Sequence, residues 1–139
     1  MPPDPRRSTI GRTSGSTTIV EAHAARTGFR EGTFDRVVIA HALHEMARDA
    51  RADVLGEARR VLRPGGRLAV LELDDPETAW VRVLVGAWFF YWLPFNFETP
   101  TRRDMFRNGL AREVAAAGFR DVTRVSTYRG VFQVVQGGK

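Results

Sequence analysis

The sequence predicts an α/β fold, and three stretches carry that prediction. The first is Arg60-Val61-Leu62-Arg63-Pro64-Gly65-Gly66-Arg67-Leu68-Ala69-Val70, which reads as a helix end, a tight turn and the start of a strand. Pro64 cannot continue a helix and biases Arg63 away from helical angles. Pro64-Gly65 suits a type II turn, whose second central residue needs positive φ. The second is Val37-Val38-Ile39-Ala40, a short continuous apolar run of the kind found in a central parallel strand. The third is the chain end, where residues 121–125 and 128–136 read as two strands joined by a short turn, an antiparallel hairpin.

Composition narrows the function classes. With 139 residues the chain suits one domain with a modest core. It has no cysteine, which excludes disulfides and thiolate metal sites. The net charge of +5 is nearly all arginine, read here as solvated surface. No basic run with interleaved aromatics marks a nucleic-acid groove, so no nucleic-acid partner is expected. No apolar leader opens the chain, so a cytoplasmic protein is expected.

Residues 1–17 are rich in Pro, Ser, Thr, Gly and Arg, and the expectation there is a disordered tail. The folded part is expected over residues 18–139, opening on a short strand at 18–22. Gly32-Thr33-Phe34-Asp35 makes a turn into the apolar strand. Ligands of open α/β sheets bind beyond the carboxyl ends of the strands, so Ala40, His41, Ala42 and His44 lie at the ligand edge. An imidazole titrates near neutrality, which makes His41 and His44 candidate general bases for an acceptor hydroxyl or carbon acid. His41 and His44 also have a metal-like spacing, but no third ligand is evident beyond Glu45, and no metal is expected.

Asp49 is a reasonable N-cap for a helix ending near Leu62, with Val54, Leu55, Ala58, Val61 and Leu62 as its buried stripe. Arg51, Glu57, Arg59 and Arg60 are expected on its solvated face. Residues 68–73 form a strand whose end is acidic, with Glu72, Asp74 and Asp75 placed to meet a substrate or to cap the next helix. Residues 79–97 hold all three tryptophans and are expected to be helical as far as Leu93, with Pro94 ending the helix. The apolar run is shorter than the roughly 20 residues a bilayer span needs. Three ways of burying it stay open: packing as core or as a lid over a site, contact with a membrane surface, or a dimer interface. Thr101 and Asp104 suggest a capping box for a last helix. Phe106, Leu110, Val114 and Ala117 form its apolar stripe, and Gly118 is its C′ residue.

Three segments together carry a family resemblance. "RVLRPGGRLAVLE", "GTFDRVVIAHALHEM" and "AAAGFRDV" resemble class I S-adenosyl-L-methionine-dependent methyltransferases. The branch most resembled holds the ubiquinone/menaquinone C-methyltransferases and their small-molecule relatives, and the likeness covers roughly residues 19–136. It implies a Rossmann-like sheet, S-adenosylmethionine as cofactor, and an apolar, lipophilic small-molecule acceptor under a lid formed by residues 79–97. It assigns His23 and Ala24 to the adenine ring, and Ala40 and His41 to the methionine end of the cofactor. The family carries Asp at the position of His23, and a neutral imidazole accepts only one hydrogen bond.

The family's glycine-rich turn after its first strand, and its carboxylate for the ribose hydroxyls, do not appear in this sequence. What remains resembles the carboxyl-terminal half of a methyltransferase: a partial sheet lacking the first strands. Three expectations follow. The chain alone binds the cofactor weakly or not at all. The strand at residues 36–40 is an open edge. The chain self-associates or pairs with another chain.

Overall fold

The computed structural model describes residues 8–13, 15–75, 78–91 and 99–139. Its main sheet has four strands: β3 (Phe34–Ala40), β4 (Leu62–Leu73), β5 (Arg120–Thr127) and β6 (Phe132–Gly138). Their spatial order is β3-β4-β6-β5. The helix α1 (Arg48–Val61) carries the chain from β3 to β4, which pair in parallel. A parallel pair needs such a crossover. The β5–β6 hairpin then adds antiparallel, with β6 beside β4. This is the partial Rossmann-like sheet and terminal hairpin that the sequence predicts. The strand β3 is an edge, bonded to β4 alone among the described strands.

The Pro64-Gly65 turn adopts the expected geometry, with Gly65 at φ 80°. Gly66 is needed for a different reason: a Cβ there would lie 2.9 Å from the Arg63 carbonyl and 3.1 Å from that of Asp35. Strand and turn are thus pressed together where β4 begins.

Helices α1, α3 (Thr99–Asn108) and α4 (Leu110–Ala116) share one apolar core with the sheet. Val54, Leu55 and Ala58 from α1, Leu68 and Val70 from β4, Met105, Leu110 and Val114, and Val135 from β6 form it. Val54, Leu55, Ala58, Val61 and Leu62 are all buried, as the helical spacing predicts. The break between α3 and α4 falls at Gly109, at φ 85°, and α4 ends at Gly118, at φ 91°.

The opposite face of the sheet is less covered. The register aligns Ala40, Leu71, Val134 and Val125 across the four strands, with Val38 two residues before Ala40 on the same side. Val38 is 70% exposed and Val125 59%.

Several expectations need correction. Residues 8–19, within and beside the stretch expected to be disordered, contain β1 (Ser8–Thr13) and β2 (Gly15–Ile19), an antiparallel ribbon separate from the main sheet. The β-branched Thr9, Ile10, Thr17, Thr18 and Ile19 favour strand geometry despite the polar composition. Ala47, not Asp49, is the N-cap of α1; Asp49 lies inside the first turn and bonds the Ala50 N–H. Thr101 lies within α3 rather than at its cap, and its hydroxyl donates instead to the His44 carbonyl. Residues 128–130 form a short 3-10 turn ahead of β6 rather than the start of a strand.

Helix α2 (Ala79–Tyr91) is present, but Trp80 and Trp88 do not pack inward, which counts against core packing among the three ways of burying the segment. Val81 is buried and Val85 half-buried, while Trp80 and Trp88 are more than half exposed. One narrow stripe of two valines is enough to seat the helix, so the wider apolar face points out. Residues 92–97, including Leu93 and Pro94, lie outside the described residues.

Candidate functional site

The site is built at the carboxyl ends of β3 and β4. Ala40 is the last residue of β3, and the chain then turns sharply. His41 has φ 50°, a backbone conformation that a non-glycine residue adopts only when its surroundings hold it there. Its N–H still donates to the Leu71 carbonyl at 2.9 Å, so the strain is anchored to β4. Its exposed ring meets Phe132 edge to face, with centroids 5.4 Å apart.

The next residues wrap around one carboxylate. Glu72 is completely buried, although it stands at the acidic strand end where substrate contact or capping was expected. Its Oε1 accepts the N–H groups of Ala42 at 2.6 Å and Leu43 at 2.7 Å. Its Oε2 lies 2.7 Å from Nδ1 of His44. A buried carboxylate is tolerable only when its lone pairs are taken up in this way. Glu72 therefore fixes the backbone that holds His41, and it fixes the His44 ring. His44 is buried, with Nδ1 committed to the carboxylate and Nε2 3.8 Å from the Glu45 carboxylate.

A second polar cluster clamps the far end of this loop. Arg51, expected on the solvated face of α1, is fully buried. It donates to both Glu113 oxygens at 2.7 and 2.6 Å, to Asp104 at 2.7 Å, and to the Met46 carbonyl at 2.8 Å. Arg48 and Arg51 hold the Asp104 carboxyl down to about 2. Arg51 thus joins α1, α3 and α4 to the residue that closes the His44 turn. Glu57, also assigned to solvent from sequence, is buried against Thr27 and Arg60. Hydrogen bonds from Arg60 and then Thr27 lower its carboxyl to about 2.

The other acidic residues of the strand end are occupied as well. Asp74 is buried and accepts from Arg124 and Ser126, and Asp75 pairs with Arg82. Beside Asp74 lies a cavity of about 310 Å³ walled by Met105, Phe106 and Leu110, with Arg112 and Gln133 among its lining.

The structure therefore brings Ala40, His41 and His44 together. His23 and Ala24 lie elsewhere, exposed, in a small turn closed by the Arg26 N–H on the His23 carbonyl at 2.8 Å. The His23 ring is turned back on that loop, with Nδ1 accepting the Ala25 N–H. The segment that follows is tied to α1 through Thr27 on Glu57 and the Phe29 carbonyl on Arg60. No group of three or more potential metal ligands occurs among the described residues.

These residues match part of what S-adenosylmethionine requires. Ala40 and His41 are exposed at this edge, with the His41 N–H already given to Leu71, and Ala24 is exposed in its turn. His23 does not supply the carboxylate that an adenine amino group favours. No glycine-rich turn follows an apolar strand in the sequence. The fit to the whole cofactor is therefore incomplete on this chain alone.

The chain is similar to known proteins in sequence and in fold. A family model described as "Methyltransferase domain" matches residues 5–70. The ubiquinone/menaquinone biosynthesis C-methyltransferase of Rhizobium etli is 37% identical, over 91% of this chain and 53% of its own length. That of Azotobacter vinelandii is 30% identical, over 91% of this chain and 54% of its own length. The chain thus spans about half the length of these relatives. Among solved structures, an S-adenosylmethionine-dependent methyltransferase of Thermotoga maritima, a possible histamine N-methyltransferase, superposes with a TM-score of 0.63 at 20% identity. It is matched over 86% of this chain and 63% of its own. A second, from Methanosarcina mazei, gives a TM-score of 0.58 at 18% identity, over 85% of this chain and 65% of its own. At such identities these two speak for the fold alone.

Proposed function

We propose that this chain, similar to class I S-adenosylmethionine-dependent methyltransferases in sequence and fold, forms the acceptor side of a site for methylating an apolar small molecule. The observation that carries the proposal is the strained, exposed His41 held at the sheet's carboxyl edge by Glu72 and the Leu71 carbonyl. Of the two histidine candidates, His41 is the better proton acceptor for an acceptor hydroxyl or carbon acid, since its ring is exposed. His44, buried on Glu72, is a positioning residue. Ala40 and His41 line the methionine end of the cofactor in this reading, and His23 and Ala24 its adenine end. The apolar character of the acceptor is supported by the likeness to ubiquinone/menaquinone biosynthesis C-methyltransferases. The working site is cytoplasmic, with a membrane-peripheral position treated separately below.

The glycine turn and the ribose carboxylate are not among this chain's residues, so no transfer step is assigned to it alone. The test is calorimetric titration of the purified chain with S-adenosylmethionine, together with transfer of labelled methyl to a quinol acceptor. Neither low-micromolar binding nor transfer is expected from the chain alone. Both are expected on adding the amino-terminal half of the Rhizobium etli relative. Tight binding by the chain alone would refute the partial site, and silence in both arms would refute the methyltransferase reading.

A second reading is favoured by the exposed Val38 and Val125 and the open β3 edge: a non-catalytic half-domain that completes its sheet with a partner chain. Complex formation without methyl transfer separates it from the first.

A further inference from the structure

Helix α2 is apolar on the wrong side for a buried helix. Val81 and Val85 sit inward at i and i+4. Trp80, Val83 and Leu84 occupy the outward stripe, between 52% and 68% exposed, and Trp88, toward the helix end in line with Val81, is 62% exposed as well. Burying a large apolar side chain is worth about 1.5–3 kcal/mol, so four of them together call for a covering surface. The nearby charges are informative. Arg82, on the opposite side of the helix from Trp80, is paired with Asp75 at 3.3 Å and does not border the stripe. Arg129, on the exposed turn before β6, stands with its guanidinium 5.4 Å over the Trp80 ring. Tyr128 beside it is the most exposed aromatic, at 79%. Exposed amphipathic aromatics beside a guanidinium group suit the boundary between acyl chains and anionic headgroups.

Size speaks against a second copy of this chain as the occupant. The 13-residue helix is about 20 Å long at 1.5 Å per residue. At a width of about 10 Å its outward face offers roughly 200 Å², well short of the roughly 800 Å² per partner of a stable interface. A bilayer needs no such minimum from one helix, because the rings insert individually. Insertion stays shallow, since no helix among the described residues is long and apolar enough to cross a membrane.

We infer that the outward face of α2, with the Tyr128–Arg129 turn, is a docking surface for an anionic lipid bilayer. The helix lies in the interface plane, its exposed tryptophans and aliphatics among the upper acyl chains and Arg129 among the headgroups. This does not depend on methyl transfer.

The test is flotation of the full chain with vesicles of phosphatidylcholine alone or mixed with phosphatidylglycerol, alongside tryptophan quenching by acyl-brominated lipids. Wild type is expected to float with the anionic vesicles, to be quenched there, and to bind the zwitterionic vesicles at least tenfold less. Raising salt weakens binding without abolishing it. The double variant W80S/W88S is expected to lose at least tenfold in anionic binding. Arg129→Glu, on an exposed turn that tolerates substitution, keeps the test decisive if the tryptophan variant misfolds; it is expected to lose several-fold. Equal flotation of wild type and W80S/W88S overturns the proposal, as does flotation without quenching. A wild-type dimer that W80S/W88S converts to monomer also overturns it, assigning the face to a second copy.

Discussion

Glu72 and Arg51 decide how the site is held, and each makes a measurable prediction. Glu72→Ala strands the Ala42 and Leu43 N–H groups in a dry pocket. The expected loss is about 2–4 kcal/mol in urea unfolding. Arg51→Met leaves the Glu113 carboxylate buried with Asn108 as its remaining side-chain donor. That change costs about 3–5 kcal/mol, and R51M/E113L recovers most of it, because replacing a whole buried pair is far cheaper than halving it. Acid acts on the same clusters. Glu57 and Asp104 have folded values near 2, below their ordinary ones. Their stabilisation is fully present above about pH 4.5 and is lost as pH falls toward 2. Urea midpoints measured across that window should fall, and Glu57→Gln should flatten the slope. The sequence contained signals for both residues. Glu72 continues the inward parity of Leu68 and Val70 along β4, and Arg51 stands four residues before Leu55 on the same stripe of α1. Reading them as polar, hence solvated, set residue type above periodicity. The partners on α3 and α4 had no local signal, because they meet Arg51 only through the tertiary fold.

At the scale of elements, periodicity was a good guide wherever burial is one-sided. The α1 stripe, the Pro64-Gly65 turn, β4 and the terminal hairpin follow from it. It misled at α2, where nearly every position is apolar and no stripe stands out. Which side faces in was then settled by the small footprint of Val81 and Val85 against the rest of the molecule, a quantity no local window contains. Cap assignment failed for a related reason. Asp49 and Thr101 are good cap types, but Asp104 and the His44 carbonyl drew the nearby side chains into tertiary contacts. The turn into β4 offers the clearest element-scale test. Gly66→Ala presses a methyl group onto the Arg63 and Asp35 carbonyls. The expected cost is about 1–3 kcal/mol, since backbone cannot move aside as a flexible side chain would. Gly65→Ala meets open space but must hold φ 80°, and costs about 1–2 kcal/mol. Thermal melts of the two variants separate steric from conformational cost.

The molecule as a whole has a well-filled core on one side of its sheet and an open side on the other. Among the described residues no second strand pairs with edge strand β3, and Val38, at 70% exposure, lies on the open face beside that edge. An apolar strand with a free edge is a template for another chain; β3 carries no proline, and its irregular register with β4 falls at its start, between Phe34 and Arg36. Its two charges, Asp35 and Arg36, stand at its start and leave Val38 to Ala40 unguarded. Concentration-dependent self-association is therefore expected in sedimentation velocity. Val38→Lys should shift the chain toward monomer by placing a charge on the template. Ala52→Lys, on the exposed side of α1, adds the same charge away from the edge and should leave association unchanged. That control separates a local effect from repulsion between cationic chains. W80S/W88S likewise should not alter this association, because α2 lies outside the β3 edge. A wild-type chain that sediments as a monomer at every concentration, and melts in one cooperative transition, would mean that the open edge and bare face are stable in water, and the pairing argument would fall.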